Sequence, residues 1–195
     1  MYELDKSLFF QINHGWNAPW MDAVMVVVTT LGLGWVQGAG ALAFASIAQI
    51  AKSQPYLRLY FLPALLVVVA SGAGAQIVKR LIPRERPSNL PEAIVAPDER
   101  IFYNSFPSGH ATTSFAMAMY VWSITRGTRY RSFGWAAWVL AALIALSRIY
   151  RGVHYPSDVI AGAALGAAMA WICLRFYAPY KTSASPGSPQ APSAE

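Results

Sequence analysis

Apolar residues in this chain fall into long runs separated by short polar stretches, the pattern of helices that are hydrophobic on every side. Five runs are long or clear enough to be read as spans: residues 35–51, 56–78, 110–125, 133–147 and 156–177. The third and fourth are near the short limit, which a packed bundle tolerates. Pro63 and the run Ser71-Gly72-Ala73-Gly74 in the second permit close helix packing, and Gly162 with Gly166 in the fifth has the small-xxx-small spacing of a helix contact. Residues 20–31 are apolar but number only about a dozen, short of the ~20 a span needs. Gly32 and Gly34 predict a break after them, so the segment reads as interfacial, re-entrant, or the start of a longer bent helix. Before it, Leu4, Leu8, Phe9 and Ile12 recur at helical spacing with Glu3, Asp5 and Lys6 elsewhere, which predicts a short helix in the membrane interface. Trp16 and Trp20 suit the same depth.

The expected fold is therefore all-α, a polytopic transmembrane helix bundle of five to six spans with an N-terminal interfacial helix. Residues 1–180 form one domain, and the Ser/Pro/Ala-rich stretch 181–195 reads as a disordered tail. No internal repeat is visible. Alternating direction places four points on one face of the bundle: the end of the second span at Lys79, the start of the third at His110, the end of the fourth at Arg148 and the start of the fifth near Asp158.

Composition sharpens this picture. The chain is 55% hydrophobic and 12% charged, against about 25% charged in a soluble domain. Residues 1–14 carry Glu3 and Asp5 and lack the apolar core of a secretory signal, so the first spanning helix is expected to direct insertion. The single cysteine, Cys173, excludes an internal disulfide and a Cys-rich metal site and reads as a small packing residue.

The net charge of +6 invites a nucleic-acid reading, but the positions of the cations oppose it. Lys52, Arg58, Arg126, Arg129, Arg131, Arg175 and Lys181 lie near one set of helix ends, as short cytoplasmic loops would have them. Lys79, Arg80, Arg84, Arg86, Arg100, Arg148 and Arg151 lie at the other, concentrated in motif-like stretches. That concentration points to an anionic ligand on the face away from the cytoplasm.

Three stretches meet on that face: residues 79–87, 107–110 and 147–158. Together they hold what a phosphate site requires. Lys79 supplies a point charge, and Arg86 and Arg148 supply forks. Ser108, Gly109 and His110 open a helix whose N–H groups can face an anion, and Gly109 lets the backbone come close. His154 is the candidate nucleophile. Asp158, four residues on, can hold one imidazole nitrogen by its proton and leave the other free. His110 is the candidate proton donor to the leaving oxygen. Carboxylates are scarce, 9 in the chain, so the mechanism is expected to need neither metal nor cofactor. Arg80, Arg84 and Arg151 are either further phosphate contacts or solvated neighbours of lipid headgroups, and the second reading is preferred because arginine is common at interfaces. Tyr103, Asn104 and Phe106 either line a lipid entrance or anchor their loop, and His14 reads as interfacial without a catalytic role.

These stretches resemble the type 2 phosphatidic acid phosphatase family of membrane lipid phosphatases. Its pattern is Lys, six residues, Arg-Pro; then Pro-Ser-Gly-His; then Ser-Arg, five residues, His, three residues, Asp. Lys79 with Arg86-Pro87, Pro107 to His110, and Ser147-Arg148 with His154 and Asp158 match it in order. The resemblance implies a phosphohistidine on His154 oriented by Asp158, a leaving group protonated by His110, and a phosphate held by Lys79, Arg86, Ser108, Gly109 and Arg148. Short loops make the chain similar to bacterial members acting at the inner membrane. Undecaprenyl diphosphate is then the first expected substrate, in recycling of the cell-wall carrier lipid. Phosphatidylglycerophosphate, phosphatidic acid and lipid A are alternatives, a lipid phosphotransferase is another, and a non-catalytic lipid phosphate binder or transporter is a remoter one. The vanadate-dependent haloperoxidases share the cradle but not the membrane spans. A neutral His154 and a protonated His110 together predict a bell-shaped pH profile.

Overall fold

The computed structural model describes residues 2–52, 60–99 and 101–183. Arg58, Arg100 and the tail from residue 184 lie outside the described residues, as do the side chains of Lys52 and Lys181. Within them all regular structure is helical: α1 Tyr2–Gly15, α2 Pro19–Leu31, α3 Gly34–Lys52, α4 Leu62–Leu81, α5 Gly109–Thr125, α6 Arg131–Tyr150 and α7 Pro156–Ser183, with a 3-10 turn at Pro87–Asn89. Helix α7 runs into the stretch assigned to the tail and includes residues 181–183.

Local chemistry sets several of these boundaries. Pro19 opens α2 and Pro156 opens α7, where the missing N–H costs nothing. Ser108 caps α5, its hydroxyl accepting from the Ala111 N–H. Between α2 and α3 the chain turns by 66° at the expected break. Residues 20–31 are thus the first arm of a bent pair. The bend is tied to α5 by Thr113 Oγ1 donating to the Gly32 carbonyl (3.3 Å) and by Gln37 Nε2 donating to Ser114 Oγ (2.9 Å). Helices α4, α6 and α7 are each long and apolar enough to cross a membrane, and the bent pair counts as a fourth such unit if it is one span.

Helix α5 is the centre of the bundle, packed against α4, α6 and α7. Its 17 residues reach about 25 Å at 1.5 Å each, a little less than a ~30 Å hydrocarbon core. From Ala111 to Ala118 its buried residues are small, Ala111, Thr112, Thr113, Ser114, Ala116 and Ala118, which lets neighbouring backbones come close. The Gly162/Gly166 spacing does the same from α7: a Cβ at Gly166 would fall on the Thr112 carbonyl. Gly166→Ala is therefore expected to destabilise the detergent-solubilised protein by about 1–3 kcal/mol. Gly38→Ala, where an added Cβ meets nothing within 4 Å, is the control. Equal melting temperatures for the two variants would rule out the α5–α7 contact as the reason for the glycine.

Helix α1 is longer than expected and is docked on the joint between α6 and α7. Phe9 is fully buried, its ring 5.8 Å from that of Tyr155. Asn13, also fully buried, donates to the carbonyls of Ile94 and Tyr150 (2.8 Å each) and accepts from the Ile94 N–H (2.9 Å). One amide thus binds α1, the 82–108 loop and the end of α6. The loop is seated on Gly152, whose φ of +79° and closeness to the Ile94 carbonyl leave no room for a side chain.

Candidate active site

The joint between α6 and α7 carries His154, 2% exposed, and the first turn of α7 carries Asp158, fully buried. His154 Nδ1 faces Asp158 Oδ2 at 3.5 Å. Ser105 Oγ lies beside both, donating to Oδ2 and 3.5 Å from Nδ1. Oδ2 also accepts from the Tyr155 N–H (2.8 Å). A carboxylate facing Nδ1 assigns that nitrogen the proton, so Nε2 keeps its lone pair. Nε2 in turn lies 3.3 Å from Arg86 Nη1, a donor with no acceptor capacity. Burial, opposed by Asp158 but reinforced by the Arg86 and Arg148 charges, pulls the His154 pKa down to about 3. The imidazole is therefore neutral at physiological pH, with a lone pair beside a guanidinium.

Arg86, Lys79 and Arg148 each hold an acceptor. Arg86 is buried and donates to the carbonyls of Tyr103 (2.8 Å), Val153 (3.1 Å) and Asn104 (3.3 Å). Lys79 Nζ donates to the same Asn104 carbonyl (2.8 Å). Asn104 has a φ of 55°, a left-handed conformation that Asn adopts more readily than most residues. The Tyr103 and Asn104 carbonyls thus tie this segment to Arg86 and Lys79. Arg148, 3% exposed, grips Glu99 with both terminal nitrogens (2.5 and 3.0 Å) and donates to Thr29 Oγ1 (2.6 Å). Burial alone would raise the Glu99 carboxyl, but Arg148 and Arg151 outweigh it and hold it at about 2.

His110 stands in the first turn of α5, half-buried, with its ring against Gly32 at the α2–α3 bend. It is near enough to Arg148, Glu99 and Arg86 for their charges to act on it. Gly109 opens onto free space: an added Cβ would meet nothing within 4 Å. Ser108 is fully buried; its N–H donates to the Asp158 carbonyl (2.9 Å) and its hydroxyl caps α5. It thereby joins the start of α5 to the start of α7. The three stretches expected to meet do meet at one end of the bundle.

Two arginines read as headgroup neighbours are not. Arg84 donates to Asp158 Oδ1 and to Asp5 Oδ2 (2.6 Å each), to Ser157 Oγ (2.7 Å), and stacks on Tyr155 at 4.4 Å. Arg151, 3% exposed, pairs with Asp98 (2.5 Å) and Glu99 (3.1 Å). Each is drawn inward because a buried carboxylate needs a counter-charge more than a headgroup needs a neighbour. Arg80 is exposed. His14 meets the Glu92 carbonyl at 2.7 Å, away from the site. Sequence reading missed Asp5, Thr29, Glu99 and Ser105. Only Ser105, two residues before the Pro-Ser-Gly-His run, carried any local signal.

Comparison with known proteins gives the family and the fold. The PAP2 superfamily model matches residues 60–181, which include all three stretches. The chain is 28% identical over 170 residues to a lipid A 4'-phosphatase from Porphyromonas gingivalis, covering 84% of this chain and 69% of the relative. It is 37% identical over 130 residues to a decaprenylphosphoryl-5-phosphoribose phosphatase from Mycolicibacterium smegmatis, covering 66% of this chain and 62% of that one. Among solved structures, Aquifex aeolicus LpxE superposes with a TM-score of 0.72 at 27% identity, over 88% of this chain and 95% of that one. A PAP2-type phosphatidylglycerolphosphate phosphatase from Bacillus subtilis shares the fold, with a TM-score of 0.75 at 21% identity over 91% of this chain and 86% of that one. With the motif residues gathered around a buried histidine on this scaffold, the chain belongs to the PAP2 superfamily.

Proposed function

We propose that this protein is a membrane lipid phosphatase that removes a terminal phosphate from a lipid phosphate or diphosphate through a phosphohistidine, without a metal. The observation that carries the reading is the neutral, buried His154 with its Nδ1 on Asp158 and its Nε2 beside Arg86. Nε2 attacks phosphorus, and the bond from phosphorus to the leaving oxygen breaks. His110 gives that oxygen its proton. Water then attacks phosphorus and gives its proton to the now neutral His110, the bond from phosphorus to Nε2 breaks, and inorganic phosphate leaves. Lys79, Arg86, Arg148, the Ser108 hydroxyl and the Gly109 N–H at the opening of α5 hold the phosphate oxygens, the Ser108 N–H being taken by the Asp158 carbonyl. The metal-free reading is supported by the carboxylates near the site: Asp158, Asp5, Glu99 and Asp98 are each engaged by arginine.

The bundle crosses the bilayer five or six times, with the site on the extracytoplasmic face of a bacterial inner membrane. Arg126, Arg129 and Arg131 at the opposite end of α5 and α6 support that orientation. Partners are the substrate lipid and its membrane. The relatives are named for lipid A and for decaprenylphosphoryl-phosphoribose. Undecaprenyl diphosphate, our first choice, therefore stands level with lipid A and phosphatidylglycerophosphate, with phosphatidic acid behind them.

The test is phosphate release by the detergent-purified chain, in chelator, from those four lipids, with His154→Ala alongside. Release that survives chelation supports the reading, and the ranking names the substrate. No release by folded protein from any of them moves the reading to a binder or a transferase. The pH profile adds a second check. Attack needs neutral His154, and protonation is resisted until pH falls towards 3. The acid limb of kcat/KM is therefore expected well below the ordinary histidine value of about 6.5. A limb centred near 6.5 would show that His154 titrates as an unburied histidine.

A further inference from the structure

We propose that Glu99 is a positioning residue for Arg148: it takes the end of the guanidinium and leaves the Nε edge for the phosphate. The inference rests on the phosphatase reading above. An arginine has five N–H donors in a fixed plane. Glu99 Oε1 and Oε2 take Nη1 and Nη2 (2.5 and 3.0 Å), the end-on arrangement. Thr29 Oγ1, from α2, takes Nη1 a second time (2.6 Å). What remains is Nε and the outer hydrogen of Nη2, which point the same way and form the other fork of the group.

Among the described residues Arg148 Nε has no hydrogen-bond partner, although the side chain is only 3% exposed. A buried N–H without an acceptor is uncommon and marks a place where an acceptor is missing. The charge of Arg148 acts on Lys79, Arg86, His110 and His154, so the unfilled edge belongs to a group that stands within the site. Two oxygens of a phosphate match such a fork.

Glu99 is itself held in place. Arg151 Nε donates to Oε1 (3.1 Å), Arg151 Nη2 donates to Asp98 (2.5 Å), and the Arg151 carbonyl accepts from the Ala96 N–H (3.3 Å). The loop residues 96–99 thus set Glu99, and Glu99 with Thr29 sets the plane of Arg148. A contrary arrangement, in which Glu99 merely occupies the phosphate's place until substrate arrives, predicts effects of the opposite sign.

The experiment is a double-mutant cycle on the 195-residue chain in detergent, with Glu99→Gln, Arg148→Lys and both together. Steady-state kinetics on a lipid that the wild type turns over are measured beside calorimetric titration with orthovanadate, which needs no turnover. Misplacement of a clamp costs up to about 100-fold. Glu99→Gln is expected to lower kcat by a factor of that order with little change in KM, to weaken vanadate binding, and to add nothing to the loss in Arg148→Lys. Additive losses would overturn the proposal, since a residue acting through Arg148 has no effect once the fork is gone. Tighter vanadate binding with kcat unchanged would make Glu99 an occupant instead. Glu99→Asp and Thr29→Val serve if Glu99→Gln does not fold. Unchanged kcat and vanadate affinity in both of these would equally sink the idea. A folded wild type that neither releases phosphate nor binds vanadate would defeat the phosphatase reading itself.

Discussion

His154→Ala is expected to abolish phosphate release, a loss on the order of 10⁴-fold or more, as removal of a nucleophile that acts as a unit with its neighbours commonly gives. The structure makes the effect hard to compensate. The imidazole is 2% exposed and enclosed by Arg86, Ser105 and Asp158, and alanine leaves a cavity with a guanidinium on its wall. The other histidine of the site, His110, stands on a different helix against the α2–α3 bend, with no described carboxylate contact to orient its ring as Asp158 orients His154. The loss should fall on kcat, because the phosphate-holding cations remain. Rapid quenching of the wild type with a phosphate-labelled lipid should trap an acid-labile, alkali-stable label on the protein, absent from the variant. Label that persists in His154→Ala would place the covalent step elsewhere.

The second large effect is expected for Asp158→Asn. Oδ2 accepts from Ser105, from the Tyr155 N–H and faces His154 Nδ1, while Oδ1 accepts from Arg84. Every neighbour but the imidazole is a donor, and the imidazole must be one for Nε2 to be free. An asparagine offers one oxygen and one NH₂. If the oxygen faces His154 and Tyr155, the NH₂ confronts the Arg84 guanidinium; if it is turned, the NH₂ confronts Nδ1 and favours the wrong tautomer. Loss of a carboxylate that orients a histidine in this manner costs about 10⁴-fold in a well-studied protease triad, and a similar loss in kcat is expected here. Breaking a buried pair costs about 3–5 kcal/mol, but Arg84 keeps Asp5 and is 23% exposed, so the fall in stability should be smaller. Thermal melts beside kinetics separate the two effects. Full activity with a lowered melting temperature would leave Asp158 only a structural role.

The pattern of apolar runs was enough to read the helices α3 to α7 and to place Lys79, His110, Arg148 and Asp158 on one face, because helix length and alternation of direction are local properties. It was not enough for α1. Leu4, Leu8 and Phe9 announce an apolar face in either setting, and only the docking of Phe9 and Asn13 on the α6–α7 joint shows that this helix reaches the site. Through Asp5 it also reaches Arg84, and so the second oxygen of Asp158.

What the sequence determined by itself is the inventory and its order: a helical membrane protein with a histidine and an aspartate four residues apart, joined by cations spaced to hold a phosphate. Those features survive any particular packing, since covalent spacing and helix periodicity enforce them. The tertiary structure alone decided how each charge is occupied. Glu99 lies 49 residues from Arg148, Asp5 lies 79 from Arg84, and Thr29 lies 119 from Arg148. No spacing rule links such pairs. They form because a buried charge must find its partner among whatever groups the folded chain brings within reach.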